Sequence, residues 1–281
     1  MLGKRRLDQI GNADVQTLRG HLTHRNPKTV NNVVGVLSKM IRTALDWGVI
    51  EKVGFRVKPL KAGTDEMKFY EDSEFERLVI ASAKVNAQAE LITLLGGEAG
   101  LRAGEMQGLE WSDIDFDRRL MNVQRSVWCG VVGTPKGGRS RRVPMTVRLT
   151  AALKGVRHLR GERVLVLPAH ESNMKALKWI RSQMKSAQRL AGLEATGGVH
   201  ILRHTFCSRL AMRGRSVLEI QKLAGHANLT TTMRYMHLAP SVLTSAIGSL
   251  ERPVRTDSGE MTEKVAKSEG APEGAPVATG G

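Results

Sequence analysis

From Val30 onward apolar residues recur at three-and-four spacing, through Val33, Val34, Leu37, Ile41 and Leu45, which is the period of one helix face. Asn26 and Pro27 supply the entry to this helix: the Asn side chain can cap an orphan amide, and a proline at the first helical position has no amide to lose. The stripe predicts a helix ending near Trp47-Gly48. Its opposite face carries Asn31, Asn32, Ser38, Lys39 and Arg42, turned to solvent or to a phosphate backbone. The pattern stops at 55–68, where Pro59, Gly63 and lysines read as the connection between a small helical lobe and a larger one, with 59–68 as the linker proper.

The larger lobe opens with Ser73 and Glu76 at capping-box spacing. Phe75, Leu78 and Val79, and then Leu91, Ile92, Leu94 and Leu95, predict two helices, the second broken by Gly96, Gly97 and Gly100. Between Trp111 and Met145 the period falls to two, in Ile114 and Phe116, Met121 and Val123, Val143 and Met145. That alternation predicts a three-stranded antiparallel sheet whose last hairpin has its loop near 134–139. Helical spacing returns from Val147, is interrupted over 164–168, and dominates 172–250. From Glu251 onward Gly, Ala, Pro, Glu, Lys and Ser replace the apolar positions, so the tail is expected to be disordered. The fold class expected is α+β, mainly helical with a small antiparallel sheet.

Composition narrows the partner. The 281 residues hold 43 Lys and Arg against 27 Asp and Glu, a formal net charge of +16, and the polyanions that suit such a field are nucleic acids and anionic membrane surfaces. No run approaches the roughly 20 apolar residues that span a bilayer, and residues 1–10 lack the apolar run of a secretory signal. Nucleic acid and a cytoplasmic location are therefore expected, with no membrane. Apolar residues at 41% with aromatics at 4% imply an aliphatic interior. Cys129 and Cys207 lie far apart without CxxC spacing, which suggests neither a disulfide framework nor a zinc site. Charge alone still leaves a ribosomal protein, a repressor or a nuclease.

Five separated segments narrow it further: Gly100-Leu-Arg102-Ala-Gly-Glu105, Thr134-Pro-Lys136-Gly-Gly-Arg139, His200-Ile-Leu-Arg203-His204-Thr205, Leu223-Ala-Gly-His226 and Thr231-Thr-Met-Arg-Tyr235. Moving a DNA phosphodiester onto a protein hydroxyl needs a nucleophile, positive charge on the non-bridging oxygens, and a proton donor for the departing 5′ oxygen. Arginine offers phosphate a fixed bidentate fork. No paired-carboxylate cluster of the kind that holds magnesium stands out, so a metal-free site without cofactors is expected.

In these segments the chain resembles the tyrosine recombinases, the family of phage integrases, Xer recombinases and conjugative-transposon integrases, from about Leu7 to Leu250. The resemblance implies a helical core-binding lobe, of which 1–58 holds only the later part, and a catalytic domain over 69–250 followed by a tail over 251–281. It implies that Arg102 and Arg203 bind the scissile phosphate and that Lys136 protonates the leaving 5′ oxygen. By the same likeness His200 and His226 assist proton transfer and phosphate contact, and Tyr235 attacks to leave a 3′-phosphotyrosine and a free 5′ hydroxyl. It further implies double-stranded DNA as partner, a homotetramer on synapsed DNA, a short donated segment within 242–250, and accessory DNA-bending or directionality proteins.

Taken singly each residue has a plainer meaning. Arg102 could be a helix-end charge, Lys136 a lysine in a turn, His200 and His226 helix-terminal residues, and Tyr235 a core aromatic. All six in one order favour the chemistry. Glu105 lies one turn from Arg102 and is expected to pair with it or face solvent. His204 is expected to pack or cap, and Cys207 to lie in the core. Arg139, Arg141 and Arg142 are placed to grip phosphates or to aid solubility. Competing readings are supercoil relaxation as in type IB topoisomerases, which the Leu-Ala-Gly-His226 context disfavours, and a catalytically impaired DNA-binding remnant of an integrase, for which a nucleophile has no use.

Overall fold

The computed structural model describes residues 2–3, 5–61, 63, 67–157, 161–167 and 173–239; the expected donated segment and tail lie outside them. The chain divides into two compact units, Met1–Lys68 and Phe69–Gly281. Among the described residues no helix is long and apolar enough to cross a membrane.

The first unit pairs α1 (Asn12–His21) with α2 (Pro27–Asp46). Asn26 caps α2 as expected, its side-chain oxygen accepting from the Lys28 amide at 2.9 Å. Val30, Val34, Ile41 and Ala44 of α2 are buried with Ile10, Val15, Ile50 and Phe55, at roughly 1.5–3 kcal/mol for each large aliphatic side chain withdrawn from water. Val33, at 39% exposed, falls off the buried stripe. The linker begins later than the composition suggests. Phe55 closes this core, and Leu60 exchanges two hydrogen bonds with Asn31, at 2.9 and 2.8 Å. Asn31, expected to face solvent or phosphate, is therefore committed to its own chain.

The second unit contains α3 (Asp72–Val85), α4 (Ala87–Gly97), α5 (Ala103–Gly108), β1 (Ile114–Asp115), β2 (Leu120–Val123), β3 (Ser126–Trp128), β4 (Val131–Gly133) and β5 (Arg141–Pro144). They are followed by α6 (Val147–Val156), α7 (Asn173–Leu190), α8 (His200–Met212), α9 (Val217–Ala224) and α10 (Leu229–Met233). The expected three-stranded antiparallel sheet is present in the order β1-β2-β5, with Met121 opposite Val143. Both side chains are buried in the core formed by α3, α4, α6, α7 and α8. A second, two-stranded sheet, β3-β4, was not expected, and it carries the loop with Lys136 away from its far end toward β5.

Two local readings are corrected. α3 starts one residue before Ser73, and the reciprocal cap comes from Glu71, whose amide donates to Glu74 at 3.0 Å; Glu76 instead pairs with Arg148. α4 also runs through Gly96 and Gly97 instead of breaking there. A Cβ on Gly96 would lie 2.6 Å from Leu202, and one on Gly97 only 2.1 Å from the Phe75 ring, so these glycines let α8 and α3 approach closely. The break comes at Gly100, where φ is +65°, a conformation open to glycine. It turns the chain so that Arg102 enters α5.

Candidate active site

Arg102 occupies the cap position of α5. Its backbone amide donates to Glu105 Oε2 at 3.0 Å and its Nη1 to Glu105 Oε1 at 2.8 Å. The Glu105 carboxylate is fully buried and also holds Arg141, whose Nη1 and Nη2 donate to it at 3.2 and 2.8 Å. Burial pushes the Glu105 pKa up, but the ion pairs with Arg141 and Arg102 outweigh it and hold the group below the ordinary 4.5. Arg141 is not free to grip phosphate; its Nε also donates to the Leu223 carbonyl at 2.9 Å. Lys136, Arg139 and Arg142 are exposed or partly so, and with Arg141, Gly225 and His226 they line a cleft of about 440 Å³.

Helix α8 carries the second group. Arg203 is 1% exposed, its Nη1 donating to the Gly100 carbonyl at 2.6 Å. Its Nη2 is buried with no partner among the described residues, a costly arrangement for a charged donor unless an acceptor arrives. Burial and the neighbouring Arg102 charge lower its pKa to about 10, so it stays cationic at neutral pH. His200, the first residue of α8, keeps part of its surface in water, but partial withdrawal of its ring from solvent and then the charges of Arg203, Arg102 and Lys136 lower it below the ordinary 6.5. His226 follows Gly225, the left-handed residue that ends α9 at φ +66°. Its Nδ1 bonds Thr232 at 2.9 Å, and burial followed by the Arg203 charge lowers its pKa to about 3. Both imidazoles are neutral at pH 7.

Tyr235 lies just beyond α10 and is 2% exposed. Its ring is stacked near-parallel on His226, 5° between planes and 6.1 Å between centroids. The hydroxyl is 2.8 Å from His204 Nδ1 and in contact with the buried Cys207 thiol. Burial, then Cys207, raise the Tyr235 pKa well above 10. Burial also pushes the Cys207 thiol up to about 11, as suits its expected core position. The pKa of His204 falls to about 4 through burial and the nearby His200, Arg234 and Arg203. The phenol is therefore a protonated group held by a neutral imidazole.

The six expected residues converge: Arg102, Arg203 and Lys136 act electrostatically on His200, His226 stacks on Tyr235, and the Arg203 charge reaches Tyr235. Sequence reasoning missed the contact of His204 with Tyr235, which was expected only to pack or cap. It also missed the commitment of Arg141 to Glu105. The signal for His204 was its place four residues after His200 on α8, a spacing that puts both rings on one side of the helix; nothing in the sequence marks a partner 31 residues away.

A family model described as the phage integrase family matches residues 68–241, a span that holds all six candidates. The chain is 26% identical over 262 residues to a tyrosine recombinase XerC-like protein of Caldanaerobacter subterraneus subsp. tengcongensis, covering 80% of this chain and 66% of that protein. It is 28% identical over 232 residues to a putative integrase of Pseudomonas phage Pf1, covering 80% of this chain and 62% of that one. The chain thus spans just under two thirds of the length of each relative. In fold it is similar to the Tn1549 transposon integrase in complex with a circular intermediate DNA, with a TM-score of 0.68, 23% identity and 89% of each chain covered. With its mainly helical α+β fold and the matched span, the chain belongs to the phage integrase family of tyrosine recombinases.

Proposed function

We propose that this chain is a site-specific recombinase that cuts and rejoins double-stranded DNA through Tyr235, in the integration, excision or resolution of a mobile element. Arg102 and Arg203 hold the non-bridging oxygens of the scissile phosphate and stabilise the charge that builds there in the transition state. The Tyr235 oxygen attacks phosphorus, and its proton passes to a neutral imidazole of the pair His200 and His226. Lys136 gives a proton to the departing 5′ oxygen. The products are a 3′-phosphotyrosine and a free 5′ hydroxyl, and the covalent link conserves the energy of the broken bond. Attack by the 5′ hydroxyl of another strand rejoins DNA without a nucleotide cofactor. In this reading the enzyme is cytoplasmic, needs no metal, and works as a homotetramer on synapsed DNA, with 69–250 as the catalytic domain.

The observation that carries the reading is the buried Arg203 donor without a partner among the described residues, set among Arg102, Lys136 and two neutral histidines beside a buried tyrosine. Such a cluster of cations suits an anion from outside the chain. The Tyr235 hydroxyl must first leave His204 for the phosphate, so the described geometry is a resting one. The test is covalent trapping on a nicked duplex taken from the ends of the element that carries the gene. The unaltered chain is expected to give a DNA adduct mapped to Tyr235, and Tyr235→Phe to bind the duplex without forming one. No adduct from either protein would favour a DNA-binding remnant.

A further inference from the structure

Building on the reading of Arg102 as a phosphate-binding group, we propose that Arg141 is a positioning residue that keeps Arg102 available to the scissile phosphate. It also anchors the segments bearing Lys136 and His226 beside it. The Arg141 side chain is 8% exposed and its partner Glu105 is fully buried, so a solvent-facing role for this arginine is excluded.

The two oxygens of Glu105 are divided between two arginines. Oε1 accepts Arg102 Nη1 at 2.8 Å and Arg141 Nη1 at 3.2 Å; Oε2 accepts the Arg102 amide at 3.0 Å and Arg141 Nη2 at 2.8 Å. Arg102 therefore spends one guanidinium nitrogen on the carboxylate. Among the described residues its Nη2 has only a long 3.4 Å contact with the Gly225 carbonyl, which a phosphate oxygen can replace. Without Arg141 the buried carboxylate loses one of its two cations, and a buried charge so exposed takes what remains. That is the Arg102 fork, drawn into a bidentate pair and away from DNA.

The same guanidinium reaches the other side of the cleft. Arg141 Nε bonds the Leu223 carbonyl in the last turn of α9, and a Cβ on Gly225 would lie 2.9 Å from Arg141 Cδ. The turn that presents His226 is thus packed on the Arg141 stem. Lys136 lies five residues upstream on the strand's own lead-in and lines the same cleft. One side chain joins the entry of α5, the start of β5 and the end of α9.

The experiment is single-turnover cleavage by the full chain at saturating protein, on a nicked duplex with either an ordinary or an uncharged methylphosphonate scissile group. Duplex affinity and thermal unfolding are recorded alongside. Arg141→Met is expected to cleave the ordinary phosphate about a hundredfold more slowly with affinity within about threefold, and to lose less than about tenfold on the methylphosphonate, where Arg102 has less charge to neutralise. Arg141→Lys keeps a charge beside Glu105 and so keeps the fold. It lacks the fork that spans both oxygens and Leu223, and is expected to be about tenfold slower; it carries the test should Arg141→Met fail to fold. A folded variant that cleaves at the unaltered rate overturns the proposal, as do equal deficits on the two phosphates, which would make Arg141 a support of the fold alone. An adduct from the unaltered chain with undiminished Arg141 variants sinks this assignment only, whereas no adduct from the unaltered chain sinks the functional reading and this one with it.

Discussion

His204 and His226 are held neutral inside the site, and that has a cost in acid. Their folded pKa values are about 4 and about 3 against 6.5 for the free group. Below pH 6.5 the unfolded chain binds protons that the folded chain refuses, so stability rises with pH across this range and is lost as pH falls from 6.5 toward 3. Glu105 acts in a lower window: its folded pKa is depressed below 4.5, so its contribution is intact above that value and is lost only as pH falls through the folded pKa. Urea midpoints at pH 7 and pH 5 separate the two, since the folded Glu105 carboxylate, held below 4.5, stays mostly ionised at both. The midpoint is expected to be lower at pH 5, and His204→Gln combined with His226→Gln to remove at least part of that drop. An equal drop in the variant would mean that other groups control acid stability. The six candidates were named from motif order, because charge type and spacing survive in the sequence. The partners of His204 and Arg141 were not, because a hydrogen bond to residues 31 and 36 positions away leaves no local pattern.

The same limit governs the elements. Helices α2 and α3 and the sheet β1-β2-β5 were readable because each buries one face, and burial imposes a period of 3.6 or 2; α4, buried all round from Leu91 to Gly97, was readable from its apolar run. The β3-β4 ribbon escaped notice because it buries little: Trp128 is 75% exposed and Val131 71%. Without a buried face there is no alternation to read. Gly96 and Gly97 misled for a different reason. Glycine both ends helices and permits close packing, and only the neighbour decides which. Here the neighbour of Gly97 is the Phe75 ring, buried on α3. Gly97→Ala raises helix propensity by about 1 kcal/mol, but its Cβ at 2.1 Å from an aromatic carbon must push α3 and α4 apart. Overpacking of this kind costs about 1–3 kcal/mol, so the net effect expected is destabilisation, read as a lower urea midpoint at unchanged slope. A variant as stable as the unaltered chain would show that Phe75 moves freely.

At the scale of the molecule, charge and chemistry separate. The excess of +16 acts at long range, and exposed cations meeting phosphates release counterions, which makes affinity fall steeply with salt. The buried part of the machinery assigned to strand transfer behaves differently. Arg203 is 1% exposed and Tyr235 2%, and charges withdrawn from solvent are screened much less by salt. The equilibrium for binding should therefore respond to salt while the bond-breaking step on bound DNA does not. Anisotropy titrations with a labelled duplex are expected to show affinity falling about 10³- to 10⁵-fold between 50 and 200 mM salt, the range for six to ten phosphate contacts. Single-turnover cleavage at saturating protein is expected to change by less than about threefold over the same interval. A flat affinity would remove the charge argument for DNA as partner. A cleavage rate that fell in parallel with affinity would mean that the scissile phosphate is held by solvated cations and that the buried Arg203 donor is not its ligand.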